Sequence, residues 1–191
     1  FLFFGKPEAI VASCIKEHKI DAIVVNRDYT PYSIERDLKI EAVCNKFGAA
    51  FHSFDDVLLH SPEMTLKQDK KPYTIFTPYF RNASKIKVAE AATYRKWNFS
   101  TEAMPHAHND RIFSKILSER KAQSPGGRNA ALKILKRLGL FQKYDSERDF
   151  PALDRTTRIS AHLKFTTCSP REVYFAMERA LGKHCDLIRS L

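Results

Sequence analysis

Strand-like and helix-like segments alternate over residues 1–53, and this alternation restricts the fold more than any other feature of the chain. The runs "FLFF" (1–4), "DAIVVN" (21–26) and "AAFHSF" (49–54) are short, apolar and rich in β-formers, and each reads as a strand. Between the first two lies "PEAIVASCIKEHKI", with Ile10, Val11, Cys14 and Ile15 at helical spacing and Pro7 placed to open the helix. Between the second and third lies "SIERDLKIEAVCNKF", with Ile34, Leu38, Val43 and Phe47 expected inward and Gly48 closing the helix. Strand–helix–strand units of this kind build a parallel sheet with helices on its faces, a Rossmann-like α/β domain. Three strands make a small sheet, so this domain is expected to be partial.

The alternation breaks in "SFDDVLLHSPEMTLKQDKKPYTIFTPY" (53–79), where polar and proline-marked segments predict irregular structure and a brief helix from Thr77. Residues 84–127 are weakly periodic, rich in bases and end in the flexible "SPGG", the composition of an interdomain linker. Its lone Trp97 is expected to pack on a domain surface. Beyond the linker the periodicity is helical only. "RNAALKILKRLGLF" puts Ala131, Ile134, Leu135 and Leu138 on one face. "SPREVYFAMERALG" opens as a capping box, with Ser169 at the N-cap, Pro170 first and Glu172 third in the helix. "HCDLIRSL" starts another helix. The predicted class is α/β followed by all-α: a partial α/β domain at 1–83, a basic linker at 84–127, and the first helices of a helical domain at 128–191.

Charge adds a functional hint. The chain carries 32 Lys/Arg against 22 Asp/Glu, a net +10. Residues 81–143 hold 14 of those bases and only Glu90, Glu102, Asp110 and Glu119, so the whole excess is local. A polyanionic partner fits this pattern because neutralising phosphates releases counterions. A basic linker that binds nothing has the same composition. Hydrophobic content of 43% and charged content of 28% are ordinary for a soluble globular protein, and no apolar run approaches membrane-spanning length. The reading is a cytoplasmic monomer without membrane association. The four cysteines are widely spaced and form no Cys-x-x-Cys pair, so they read as buried, reduced thiols. No metal site is expected, since His106 and His108 in "MPHAHND" have neither a nearby cysteine nor helical i, i+4 spacing.

The stretch "YDSERDFPALDRTTRIS" (144–160) crowds hydroxyls around Arg158 just ahead of core-facing helices. Hydroxyls and backbone N–H groups beside a fixed cation suit a phosphate-bearing ligand. A solvated loop with capping residues would look the same.

Several segments together resemble the DNA photolyase/cryptochrome family. They are "NRDYTPYSIERD" (26–37) and "FTPY" (76–79) in the first domain, and "RDFPALDRTTRISAHLKF" followed by "SPREV" in the second. The resemblance covers nearly all of the chain except the linker. It implies an internal piece of a deoxyribodipyrimidine photo-lyase, from the later part of the antenna domain to the start of the domain that binds flavin adenine dinucleotide (FAD). By position in the family's motif, Tyr144, Thr156, Thr157, Arg158, Ile159 and Ser160 are implied FAD contacts, with Arg158 adding charge or buttressing the loop and Ile159 contributing mainly backbone. Arg148 is implied to lie on the DNA-facing rim, and a local ion pair with Asp145 or Asp149 is its competing role.

The resemblance also implies an antenna chromophore of folate or deazaflavin type. Tyr32 and Ser33 stand where folate-holding members often carry an Asn-Glu pair, so the pigment stays open. Damaged DNA is the implied partner, and no residue of this chain is assigned a catalytic role. The electron-relaying tryptophans of the family are expected beyond Leu191, so the piece alone is expected to be inactive. Two alternatives remain: a cryptochrome-type blue-light sensor, and a nucleotide-binding α/β domain without photochemistry.

Overall fold

A computed structural model describes residues 1–90, 98–100, 110–118 and 125–191. Trp97, His106, His108 and much of the expected linker lie outside the described residues. The chain divides into two compact units, Phe1–Phe54 with Tyr94–Gln123, and Asp55–Thr93 with Ser124–Leu191.

The first unit is built on a β–α–β crossover. Strand β1 (Ala22–Asn26) and strand β2 (Ala50–Phe54) pair in parallel, with Ala22 opposite Ala50 and Asn26 opposite Phe54. Helix α1 (Pro7–His18) precedes β1, and α2 (Pro31–Phe47) connects the two strands. Proline opens both helices, where its missing N–H costs nothing. At the end of α2, Gly48 adopts φ 76° and returns its N–H to the Cys44 carbonyl, a left-handed cap that needs no Cβ. The core gathers Ile15, Ile40, Cys44 and Ala49, with Val11, Ile23, Val43, Phe47 and Phe51 packed around them.

Two expectations change here. Residues 1–4 are not a strand, and Phe1, Leu2 and Phe4 are all more than half exposed. Apolar composition alone does not make a strand; a ladder partner does, and among the described residues the sheet has two strands. In α2 the inward face is Ser33, Ile40 and Cys44, whereas Ile34 and Leu38 are 49% and 61% exposed. At 100° per residue, Ile34 and Leu38 fall opposite the Ile40–Phe47 arc, so the two halves of the expected stripe cannot both face in.

The second unit is helical. Its elements are α3 (Phe76–Ala83), α5 (Arg128–Lys136), α6 (Tyr144–Glu147), α7 (Ser160–Lys164), α8 (Pro170–Leu181) and α9 (Asp186–Arg189), while α4 (Asp110–Ser118) belongs to the first unit. The expected stripe holds. Ala131 and Leu138 are buried, Ile134 and Leu135 pack beside them, and Ile159, Val173, Met177 and Leu187 complete the core. Leu138, Val173 and Met177 are at most 2% exposed, and each such side chain contributes roughly 1.5–3 kcal/mol. Ser169 caps α8, but its Oγ accepts from the Arg171 N–H at 3.2 Å, and Glu172 does not reach back as a capping box requires. Its carboxylate is instead gripped by both terminal nitrogens of Arg128, at 2.6 and 2.7 Å. A charged fork on two oxygens is stronger than one backbone N–H.

Among the described residues no helix is long and apolar enough to cross a membrane. The cysteines are free thiols, with Cys44 and Cys168 buried. Burial, and secondarily Glu172, push the Cys168 pKa upward.

Candidate functional site

The residues singled out by sequence lie on the path from α6 to α7. Tyr144 is half-buried and packs against the second unit's core. One turn later the Arg148 guanidinium sits 5.8 Å from the Tyr144 ring centroid. Asp145 and Asp149 approach that guanidinium only to 3.9 and 3.8 Å, and the Arg148 side chain is 43% exposed. Pairs this long in solvent contribute little, so neither aspartate ties Arg148 down.

The chain then passes through a 3-10 turn (Pro151–Leu153) into a loop marked by two left-handed residues, Asp154 at φ 47° and Arg158 at φ 52°. For an L-residue with a side chain as long as arginine's this conformation costs roughly 1–2 kcal/mol. Across the loop, Arg158 Nη2 donates to Asp154 Oδ1 at 2.6 Å. Both side chains are 68% exposed, so the pair steers the loop more than it stabilises the protein. Its geometry is that of a buttress.

Ile159 is 7% exposed and anchors the run in the core, leaving its backbone for any ligand. Its N–H reaches only Thr157 Oγ1, at a long 3.4 Å. Ser160 opens α7, and the side chains of Thr156 and Ser160 are exposed without a hydrogen bond among the described residues. A cleft of about 510 Å³ is lined by Tyr144, residues 141, 142 and 145, and residues 180–186. None of residues 156–160 lines it. Tyr144 and the hydroxyl run therefore share a core, through Tyr144 and Ile159, rather than one cavity.

Three arrangements around this loop have no counterpart in the sequence reading. His162 is 3% exposed, with Nδ1 2.8 Å from Thr167 Oγ1. That hydroxyl donates to the His162 carbonyl at 3.3 Å, which makes Nδ1–H the donor to it and leaves Nε2 buried without a partner. Arg128 donates to the Thr167 carbonyl at 3.3 Å besides holding Glu172, and its hydrogen bonds to Glu172 push the Arg128 pKa upward. Arg171 and Ser169 both reach Asp56, at 2.6 and 3.0 Å. Only the histidine's placement inside "SAHLKF" offered a local signal; the other partners are tens of residues apart. Among the described residues no group of three His, Cys, Asp or Glu could hold a metal ion.

The family model for DNA photolyase matches residues 1–96. The chain belongs to the DNA photolyase family. The family match covers the first unit's sheet and ends before the candidate loop. A deoxyribodipyrimidine photo-lyase from Alkalihalophilus pseudofirmus is 27% identical over 166 residues, which are 82% of this chain and 34% of that protein. The photolyase of Sulfolobus tokodaii, solved with two FAD molecules, is 31% identical with a TM-score of 0.67, over 98% of this chain and 40% of that one. A class III photolyase from Agrobacterium tumefaciens shares the fold, with a TM-score of 0.80 at 24% identity over 97% of this chain and 41% of its own. A Synechocystis cryptochrome shares the fold as well, with a TM-score of 0.64 at 16% identity over 93% of this chain and 39% of its own. The chain thus spans 34–41% of the length of these relatives.

Proposed function

We propose that this chain is part of a flavin-dependent deoxyribodipyrimidine photo-lyase, which repairs pyrimidine dimers in DNA under light. In this reading residues 1–83 belong to the antenna domain, 84–127 form a basic linker, and 128–191 open the FAD-binding domain. The loop from Asp154 to Ser160 is the observation that carries it. Two unengaged hydroxyls, a weakly held Ile159 N–H and the Arg158 cation lie within one short turn, a donor set that fits a diphosphate. Asp154 is the one group there that opposes an anion, and its engagement with Arg158 offsets that charge.

When bound, reduced FAD supplies the light-excited electron that opens the dimer. The residues of this chain do the holding. Thr156, Thr157 and Ser160 donate to the diphosphate, Arg158 keeps the loop in shape, and Tyr144 offers a ring already fixed against the core. Arg148, outside the loop, pairs with a DNA phosphate.

A folate- or deazaflavin-type antenna pigment belongs to the same reading, at the Tyr32 loop. There Ser33 is buried and donates to Asp28 Oδ2 at 3.1 Å, so Tyr32, 67% exposed, is the group left for a ligand. A smaller cleft of about 230 Å³ includes Tyr32, Arg36 and Lys6 in its lining.

The test is a visible absorption spectrum and a repair assay on the intact protein. Flavin absorption with light-dependent loss of dimers from irradiated oligothymidylate is the expected result. Flavin without repair would turn the reading to a light sensor on the same fold. A colourless, folded protein would overturn it.

A further inference from the structure

Helix α7 has only five residues, too few to hold its own shape, so its anchors decide where Ser160 points. Ser160 is its first residue and His162 its third. At 100° per residue the two stand on opposite sides of the helix. The rotation that buries His162 to 3% exposure is therefore the one that turns Ser160 outward. Burial of an imidazole is unfavourable unless its ring nitrogens find partners. Here Nε2 finds none.

The other nitrogen is held by Thr167, the sole hydrogen-bond partner of the ring among the described residues. Thr167 Oγ1 lies 2.8 Å from His162 Nδ1 and donates to the His162 carbonyl at 3.3 Å. The Thr167 N–H bonds to the same carbonyl at 2.9 Å. Its own carbonyl accepts from Arg128 Nη1 at 3.3 Å, and the Arg128 fork on Glu172 ties this point to α8. Every polar group of Thr167 is engaged. From there α7 leads back to the loop, with Leu163 N–H bonding to the Ile159 carbonyl at 3.0 Å and Ile159 fixed in the core. The Ile159 N–H and the Ser160 hydroxyl, two of the donors suited to a diphosphate, thus take their direction from α7.

We propose that Thr167, tied from behind by Arg128, is a positioning residue for the flavin diphosphate: its hydroxyl holds His162 in the core and so sets the rotation of α7 that presents Ser160. This rests on the reading of residues 154–160 as the diphosphate loop, because Thr167 acts through α7 and not on the ligand.

The experiment is a dark titration of the intact protein, stripped of its flavin, with FAD at a temperature well below the melting point of every variant. Thr167→Val keeps size and branching but removes the hydroxyl. The imidazole must then turn towards water and take Ser160 with it, and FAD should bind about tenfold more weakly. Thr167→Ser restores the hydroxyl and should bind FAD as the wild type does. Arg128→Ala loses only the outer tie and should bind about threefold more weakly. Arg171→Ala is the control, since it breaks an ion pair at the next position of α8 without touching α7. It should lose stability but keep its affinity for FAD. Wild-type affinity in both Thr167→Val and Arg128→Ala would overturn the proposal. So would an equal loss in Arg171→Ala, which would mark a general effect of stability. If the valine variant does not fold, Arg128→Ala decides alone. A wild-type protein that takes up no FAD would overturn the diphosphate reading, and this proposal with it.

Discussion

Arg171 and Asp56 are 115 residues apart in sequence and 2.6 Å apart in space, Nη1 donating to Oδ1. The other terminal nitrogen donates to the Asp55 carbonyl at 2.8 Å, and Ser169, the cap of α8, donates to the same carboxylate oxygen at 3.0 Å. The two side chains are 21% and 36% exposed, dry enough for charge-assisted bonds to count. Arg171→Ala strands a half-buried carboxylate with a single serine, and should cost about 2 kcal/mol of unfolding free energy. Arg171→Lys should recover only part of this, because an ammonium cannot span carboxylate and carbonyl at once. Denaturant titration of both variants checks it.

The end of α7 carries a strained residue that can be relieved. Thr167 N–H bonds to the His162 carbonyl at 2.9 Å and Thr166 N–H to that of Leu163 at 3.1 Å, the two bonds of a Schellman cap. The left-handed position of this cap is Thr166, at φ 48°, where a β-branched residue is disfavoured and glycine is not. Thr166→Gly should therefore raise stability by roughly 1 kcal/mol despite glycine's greater unfolded-state entropy. A rise in melting temperature is the expected readout.

Replacing Thr156, Thr157 and Ser160 by Val, Val and Ala tests the cradle. In the intact protein each lost hydrogen bond should cost ~1–1.5 kcal/mol with strong non-additivity, and flavin affinity should fall by about two to three orders of magnitude. Thr156 and Ser160 bond to nothing else among the described residues, so the fold should survive. Flavin content measured after gel filtration gives the answer.

Arg148→Ala should act on DNA and not on flavin. Its two aspartate contacts, at 3.9 and 3.8 Å, are too long and exposed for their loss to lower the melting temperature appreciably. Losing one phosphate contact should make the salt dependence of duplex binding shallower by ~0.9. A melting-temperature drop with unchanged DNA titrations would assign the arginine to its local pairs.

His60 makes stability depend on pH. Burial, and then the positive charge of Arg171, hold its pKa below the ordinary 6.5. As pH falls, the unfolded chain takes up the proton first, so the contribution is full above 6.5 and declines below it towards the folded pKa. His60→Gln should flatten the fall in melting temperature between about pH 7.5 and about pH 5.5. A parallel slope in the variant would put the acid sensitivity elsewhere.

Much of this architecture was legible because its causes are local. Proline at the first turn of α1, α2 and α8, Gly48 after α2, and the spacing of Ala131, Ile134, Leu135 and Leu138 act within a few residues, and the structure uses them as read. The β–α–β order is local in the same sense, because a parallel pair needs a crossover between its strands. What the chain alone left open depended on distant partners. Apolar residues 1–4 looked like a strand, but a ladder neighbour makes a strand. Ile34 and Ile40 are equally apolar, and the position of the sheet and α1 decided which one was buried. Glu172 was chemically able to cap its own helix, until Arg128, 44 residues away, offered a fork with two hydrogen bonds. In the candidate site the sequence supplied the hydroxyls and the arginine. Folding gave Arg158 its left-handed backbone and its Asp154 partner, because dihedral strain and charge pairing are settled only when the surrounding core fixes both ends of a loop.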